Sequence, residues 1–535
     1  MEGIDWIRPR ADSPRRAGAA RVSNDTPGRA KTWILVATIL ASSMVFIDGT
    51  VVNIALPVLQ VDLNATIIQA QWVVQAYALF LSSLILVGGS LGDHFGRRRM
   101  FATGVAVFGL ASVLCGMAHS SNQLIAARAL QGIASALLTP GSLSILTVSF
   151  GSQERGRAIG LWSSFTAATA AAGPALGGWI VQHASWRWIF FINVPLALVV
   201  LITAMRWIPE SRDSEKVHHV DWVGSALATI GLAGLVYGLM TEPESGWGNP
   251  VVIAALAAGV LALGFFVFAE AREPSPMLPL SLFQSRNFSV VNILTFLLYG
   301  ALGGTLFLLP FDLILVQHYT PTAAGLAFLP LIVLVSLLSP WAGSLIRSVG
   351  AKLPLVVGPL ISGLAMASLA LPGIGGSFWT TFFPAVLALG LGMAITVAPL
   401  TTTVMSSVDS DHVGIASGAN NAVSRTGGLL AIAALNLIVI AAFNHSLDRR
   451  LAALAPPPAA VAAVNAQRAK LAAAELPRTL PADVRTQLQR AIDESYVAGF
   501  RLAALTGAAL AFLGALAVAA WIEPARPPQR EPILR

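Results

Sequence analysis

The chain has 535 residues, of which 55% are hydrophobic and only 11% are charged, whereas an average soluble protein carries about 25% charged residues. This balance excludes a soluble globular protein, and long unbroken apolar runs exclude a membrane β-barrel, whose strands alternate polar and apolar residues. The net charge is +7, but the basic residues are scattered in short connectors, so no nucleic-acid partner is expected. The composition predicts an all-α polytopic membrane protein surrounded by the lipid bilayer.

The chain opens with a basic polar segment, residues 1–32, which no short cleavable apolar leader follows. A hydropathy window of about 19 residues then predicts fourteen membrane spans. These spans begin near Trp33, Gln71, Met100, Asn122, Arg157, Trp186, Asp221, Asn249, Asn287, Pro321, Pro354, Trp379, Gly414 and Val497.

The basic residues of the connectors test this count, because Lys and Arg in short connectors collect on the cytoplasmic side. With the amino terminus inside, the inner connectors hold the basic residues, among them Arg97, Arg98, Arg99 and Arg425, whereas the short outer connectors hold Arg187. This pattern predicts a multi-pass protein of the plasma (inner) membrane with both termini in the cytoplasm.

An internal repeat divides the chain into two related halves. Residues 89–98 share a glycine-serine-leucine sequence and spacing with residues 343–352, each copy just after a span on the inner side. Parallel repeats of this kind are typical of transporters. We therefore predict a cytoplasmic tail (1–32), a six-span bundle (33–208), two linking spans (209–286), a second six-span bundle (287–522) that includes an outer segment (444–496), and a second cytoplasmic tail (523–535).

Asp48 and Arg128 are charged residues inside otherwise apolar spans. An ionised carboxylate there costs roughly 2.5 to 3.5 kcal/mol on insertion scales, so such a residue is expected to face a cavity, a partner or a proton. Asp48 could load and release a proton if its access to water changes. Arg128 stays protonated and could hold a carboxylate or bias a nearby acid. The alternatives are a fixed hydrogen bond for Asp48 and a structural clamp for Arg128.

The inner connector after the second span carries Gly89, Asp93, Gly96, Arg97 and Arg98. Its arginines fix the orientation of the chain in the membrane.

A second glycine-rich pattern lies in the fifth span, at Gly173, Pro174, Gly177 and Gly178. Proline removes a backbone donor and the glycines allow close helix approach, so the pattern predicts at least a bent, closely packed helix.

The sequence carries no signature of an enzyme, a cofactor site or a metal site. None of the four lysines follows a glycine, so a phosphate-binding loop is absent, and no His-Glu pair exists. Cys115 is the single cysteine, which excludes a multi-cysteine metal site.

The outer segment places Val484, Leu488 and Ile492 four residues apart, which predicts a short amphipathic helix. Its apolar face could pack on the protein itself or dock to a periplasmic adaptor protein.

These motifs together resemble the major facilitator superfamily, in particular its fourteen-span drug:proton antiporters of the EmrB and QacA type. Residues 89–99 resemble the superfamily's signature loop, with His94 at a position where arginine is usual. Residues 124–136, around Arg128, resemble its fourth-span motif. Gly173 to Gly178 resemble the antiporter motif, with Thr169 replacing an upstream glycine. Residues 47–57 and 186–195 are similar to the fourteen-span branch.

The resemblance implies proton-coupled export of hydrophobic or amphipathic compounds such as drugs by alternating access, driven by a proton gradient without a cofactor. It implies proton coupling at Asp48 and Arg128 and a conformational latch at Asp93 and its neighbouring arginines. The substrate-binding residues are not predicted. Two alternatives stay open, an exporter of a specific lipid or natural product and a non-transporting membrane sensor of the same fold.

Overall fold

The computed structural model describes residues 28–212, 221–273, 276, 278–409 and 413–522. Most of the predicted first tail (residues 1–27), part of the inner connector before the linking spans (213–220) and the predicted last tail (523–535) lie outside these residues. The described chain is all-helical in its regular structure, as predicted.

The first half of the chain forms seven helices. They are α1 (Gly28–Asp62), α2 (Ile67–Phe95), α3 (Arg97–Gly116), α4 (Ser121–Ser149), α5 (Ser152–His183), α6 (Trp188–Phe191) and α7 (Asn193–Trp207). Two of the short connectors cap the next helix, at Thr66 and Ser120. Thr66, for example, accepts a hydrogen bond from Gln69 N at 3.2 Å while the Gln69 side chain accepts one from Thr66 N at 3.1 Å. This reciprocal cap fixes the turn between α1 and α2.

Two further helices precede the second half, α8 (Trp222–Ser245) and α9 (Pro250–Glu270). The second half contains α10 (Arg286–Phe311), α11 (Pro321–Leu326), α12 (Leu329–Val349), α13 (Lys352–Ser368), α14 (Phe378–Thr381), α15 (Phe383–Ser406), α16 (Val413–Leu454), α17 (Pro458–Gln467) and α18 (Ala482–Trp521). Short 3-10 helices lie at Leu280–Gln284 and Arg468–Ala473, and a π-helical turn at Asp312–Val316 extends α10.

Within the described residues, twelve helical segments are long and apolar enough to cross a membrane. The predicted count of fourteen is therefore not confirmed. Two helices at predicted span positions do not reach this length and hydropathy. Helix α13 has 17 residues, and α5 has 32 residues but is rich in alanine, glycine and threonine. Such small side chains lower hydropathy while allowing close contact between helices.

The internal repeat appears in the backbone as two equivalent turns. Gly96 separates α2 from α3 with φ of 112°, and Gly350 separates α12 from α13 with φ of 76°. Both values favour glycine, because a Cβ disfavours positive φ. The two copies thus make the same inner-side turn, whereas the domain boundaries drawn from the repeat remain predictions.

The apolar core has a part in each half and a part shared between them. One buried cluster lies wholly within α1–α7 and the residue after them, and another joins α10, α13, α15, α16 and α18. The largest cluster runs through both halves at their predicted outer ends. Across the two halves, Asn436 donates to Gln71 at 2.6 Å and Gln75 donates to the Leu429 carbonyl at 2.8 Å.

The predicted outer segment is folded rather than extended. Helix α16 continues to Leu454, and α18 starts at Ala482, so the predicted short helix is the first part of the last long helix and not a separate element. Leu488 and Ile492 are buried in the shared core. The apolar face of this helix thus packs on the protein itself.

Candidate functional site

The structure brings Asp48 and Arg128 into direct contact inside the first helical bundle. Arg128 Nη1 donates to Asp48 Oδ2, and each residue is only 1% exposed. The Arg128 Nε donates to the Val73 carbonyl on α2 at 3.0 Å. The sequence singles out both charges, but their contact depends on how α1 and α4 pack.

Two amides complete the coordination of the carboxylate. Gln131 Nε2 and Asn193 Nδ2 lie 3.2 Å and 3.3 Å from Asp48 Oδ1. Gln131 Oε1 also accepts from Arg128 Nη1 at 2.8 Å, and its Nε2 contacts Ser112 Oγ at 2.8 Å. Side chains from α1, α3, α4 and α7 therefore form one buried polar network.

Helix α4 supplies this network because of its residue spacing. Arg128, Gln131 and Ser135 lie three and four residues apart and so share one face of the helix. That face lies against Tyr77 on α2, whose ring centroid is 4.2 Å from the Arg128 guanidinium carbon. A Cβ on Gly132 would lie 2.5 Å from the Tyr77 carbonyl oxygen, so glycine is required for this close approach.

The network matches its charges internally. The Asp48 carboxylate is held by one cation and two amide donors in buried surroundings. Removing either charged partner would leave the other buried without compensation, which is strongly unfavourable.

The predicted loop residues make their contacts within the first half. Arg97 donates to Asp93 Oδ1 at 2.8 Å. Glu210, which sequence reasoning missed, accepts from the Arg98 backbone N–H at 3.1 Å and lies within 4 Å of the Arg98 and Arg99 guanidinium groups. It also lies against Gly96, where an added Cβ would approach Glu210 Oε1 to 2.6 Å. The sequence holds no signal for this role, because Arg98 lies 112 residues away in the chain and only packing brings it to Glu210.

The fifth-span glycines lie at two helix contacts. Added Cβ atoms on Gly173 and Gly177 would collide with Thr50 and Val51 of α1, at 1.9 Å and 2.9 Å. One on Gly178 would collide with the Pro321 carbonyl of α11, at 2.1 Å. This last contact joins the two halves at their predicted outer ends.

A cavity of about 450 Å³ lies between the halves, on the predicted inner side of these contacts. It is lined by Phe46 of α1, by Ile85 and Gly89 of α2, by five residues of α4 from Thr139 to Thr147, and by Ser417, Gly418, Asn421, Ala422 and Arg425 of α16. Of the predicted loop residues, Gly89 thus lines the cavity, whereas the Asp48 network lies beside it.

The location predicted for Arg425 is wrong. The sequence places it in an inner connector, but α16 begins at Val413, so Arg425 lies about 18 Å along that helix. The predicted start of this span near Gly414 agrees with the helix, so the error lay in assigning Arg425 to the connector, and the cavity wall that accommodates its charge is a tertiary feature.

The comparisons with known proteins agree with this architecture. The model of the Major Facilitator Superfamily matches residues 38–432. The tetracenomycin C resistance and export protein of Streptomyces glaucescens is 32% identical over 508 residues, with 94% of each chain covered. The puromycin resistance protein pur8 of Streptomyces alboniger is 36% identical and covers 77% of this chain and 82% of its own. The multidrug resistance protein Stp of Mycobacterium tuberculosis is 32% identical, with 80% of each chain covered.

Among solved structures, a bacterial homologue of the human lysosomal transporter Spinster, inward-facing and occupied, has a TM-score of 0.66 at 16% identity, covering 91% of this chain and 96% of that one. The transporter PepTSo has a TM-score of 0.61 at 15% identity, covering 92% and 97%. These two likenesses concern the fold. With the family match and the relatives, they identify the chain as a transporter and not an enzyme, and the chain belongs to the Major Facilitator Superfamily.

Proposed function

We propose that this transporter exports hydrophobic or amphipathic small molecules from the cytoplasm in exchange for protons. The observation that carries the proposal is the buried Asp48–Arg128 pair. An intramembrane carboxylate and its partner are costly to bury and mark proton or substrate pathways. The names of its relatives, which refer to resistance to or export of antibiotics and drugs, support the direction and the class of cargo.

The contacts between the halves support alternating access from an inward-facing state. The halves meet at their predicted outer ends, where Thr322 Oγ1 donates to the Gly178 carbonyl at 3.3 Å and Thr322 N donates to Gln182 Oε1 at 3.3 Å. The cavity lies on the predicted inner side of these contacts. Export would then require this outer seam, formed by α5 and α11, to open.

In this cycle Asp48 carries the proton and Arg128 makes its protonation costly. Proton binding would release Asp48 from Arg128, Gln131 and Asn193, and the change in charge would favour a different packing of α1 against α4 and α7. The contacts of Asp93, Arg97 and Arg98 would act as a latch at the inner ends of α2 and α3.

We further propose fourteen spans, with α5 and α13 crossing the bilayer. The protein would then lie in the plasma (inner) membrane with both termini in the cytoplasm. Helix α5 packs along α1, and α13 packs between α15 and α18, so both take part in the helix contacts of the bundle. Reduced hydropathy is expected for such helices. This count would place the chain in the fourteen-span drug:proton antiporter branch.

The decisive experiment measures export from proteoliposomes loaded with a panel of lipophilic cations, neutral compounds and acids, with and without a proton gradient. Wild type should show gradient-driven export, and Asp48→Asn should abolish the dependence on the gradient. Asp62→Asn is the matched control, because it makes the same change in α1 at an outer site bound to Trp186 and Arg187. Gradient-independent export by wild type, or an unaffected Asp48→Asn variant, would contradict the coupling.

A narrower candidate is an exporter of one natural product, favoured by the relative named for the export of tetracenomycin C. The same panel separates the two candidates, because a narrow exporter would transport one chemical class of the panel and none of the others.

A further inference from the structure

The cavity between the halves contains one cation whose charge the described residues around it do not neutralise. Arg425 lies on the cavity wall. Among the described residues, no carboxylate lies within ion-pair distance of it. The cavity lining itself contains no acidic residue. An arginine in such surroundings keeps its charge, because its guanidinium stays protonated.

Two carboxylates near the cavity are already paired with arginines. Asp48 is neutralised by Arg128 in the buried network, and Asp93, one turn beyond Gly89 on α2, is neutralised by Arg97. Arg425 thus leaves a net positive charge inside a space with low-dielectric walls, where a charge acts more strongly than in water. Such a cavity attracts organic anions and repels organic cations.

The remainder of the wall is suited to an amphipathic molecule. Phe46, Ile85 and Leu143 supply apolar surface, and hydroxyl groups come from Thr139, Ser144, Thr147 and Ser417. The Thr139 hydroxyl is buried without a hydrogen-bond partner, which leaves it available to a ligand. The volume of about 450 Å³ lies within the range of small-molecule sites, about 300 to 1,000 Å³.

We propose that Arg425 binds the anionic group of the exported molecule and makes this transporter selective for amphipathic organic acids, with Thr139 as a further polar contact. The proposal rests on the export function proposed above, because it takes the cavity as the site from which cargo is exported. It also brings the cargo near the coupling network. Phe46 of the cavity wall lies two residues before Asp48 in α1.

Three dansyl compounds with one fluorophore and different charges test the proposal. They are dansyl-glycine, which is an acid, its neutral amide, and dansyl-cadaverine, which is a cation. Binding to the purified full-length chain is measured by dansyl fluorescence. We expect wild type to bind dansyl-glycine more tightly than the other two. Arg425→Gln should weaken that affinity about 10- to 100-fold, the range of a lost charge-assisted hydrogen bond, and change the affinity for the amide less than about twofold.

Two further variants keep the test specific. Arg425→Lys retains the positive charge and should recover part of the preference for the acid. Arg449→Gln makes the same change in α16 at an exposed position outside the cavity and should leave all three affinities as in wild type. Equal loss of all three ligands in Arg425→Gln would show a structural role and overturn the proposal.

The outcome also separates this proposal from the export function. Wild type that binds and exports dansyl-cadaverine but not dansyl-glycine would overturn the assignment of Arg425 and leave proton-coupled export standing. Wild type that binds none of the three compounds would overturn it as well. Failure of export itself would appear as absence of flux across the whole proteoliposome panel.

Discussion

Asp48 and Arg128 each offset the cost of burying the other's charge in the protein interior. Both side chains are buried where they meet. Removing Asp48 would leave a buried cation, and removing Arg128 would leave a buried carboxylate without its charged partner. Gln131 of α4 and Asn193 of α7 hold the carboxylate by its second oxygen, so two helices besides α1 fix its position. The pair is therefore a coupled unit whose two members should not act additively.

A double-mutant cycle measures that coupling. Asp48→Asn and Arg128→Gln should each lower the free energy of unfolding in detergent by about 3–5 kcal/mol, the range for breaking a buried pair. The double variant should lose less than the sum, by about 0.5–3 kcal/mol. The control cycle uses Asp62→Asn and Arg187→Gln. These residues form a partly exposed pair, 3.1 Å apart, at the outer surface, and the coupling free energy between them should be about 0–1 kcal/mol. Additive losses at Asp48 and Arg128 would mean that the pair contributes nothing as a unit.

The sequence could identify single charges but not their neighbours. Asp48 and Arg128 stand out because apolar residues surround them along the chain. Tyr77 and Ser112 do not, since a tyrosine or serine in a span is ordinary. Glu210 and Arg425 were missed for a different reason. Their meaning depends on the groups brought against them by packing, two arginines for Glu210 and a cavity between the halves for Arg425.

The helices themselves were largely predictable, and their interruptions were not. Apolar length locates α1–α4 and α8–α10 closely. Three predicted spans are instead divided into a short helix followed by a long one, at α6 and α7, α11 and α12, and α14 and α15. Hydropathy does not register such breaks, because the residues on both sides of each break are apolar. The start of α18 was also misjudged, since a polar amphipathic turn and an apolar span can form one continuous helix.

If α5 and α13 cross the bilayer, the two ends of each helix lie on opposite sides of the membrane, and cysteine labelling can test this. Single cysteines at Ser348 and Gly373 flank α13, and single cysteines at Gly156 and Ala184 lie near the two ends of α5. A membrane-impermeant maleimide applied to intact cells should label Gly373→Cys and Ala184→Cys, and should label the other two only after permeabilisation. Native Cys115 is buried and does not compete. Labelling of both ends of either helix from one side would contradict a fourteen-span topology.

At the scale of the whole molecule, the two halves are joined by an outer seam and separated by an inner cavity. The seam is tight because it uses glycine on both sides. A Cβ on Gly178 would lie 2.1 Å from the Pro321 carbonyl oxygen, and one on Gly325 would lie 2.2 Å from the Pro174 carbonyl oxygen. Glycine allows the two backbones to approach this closely. The glycine-proline pattern of α5 thus contributes to the seam between the halves as well as to the bend within its own half.

Covalent closure of this seam should stop transport. Cysteines at Gln182 and Thr322, whose side-chain oxygen and backbone nitrogen are 3.3 Å apart, can be joined by a short bifunctional thiol reagent. If the seam must open in every cycle, the crosslinked protein should lose export, and reductive cleavage of the linker should restore it. The control joins Lys31→Cys to Glu154→Cys, an ion pair of 2.7 Å within the first half. That link should leave export unchanged, because α1 and α5 would move together. Full export by the Gln182–Thr322 crosslinked protein would show that cargo leaves without separation of the two halves at α5 and α11.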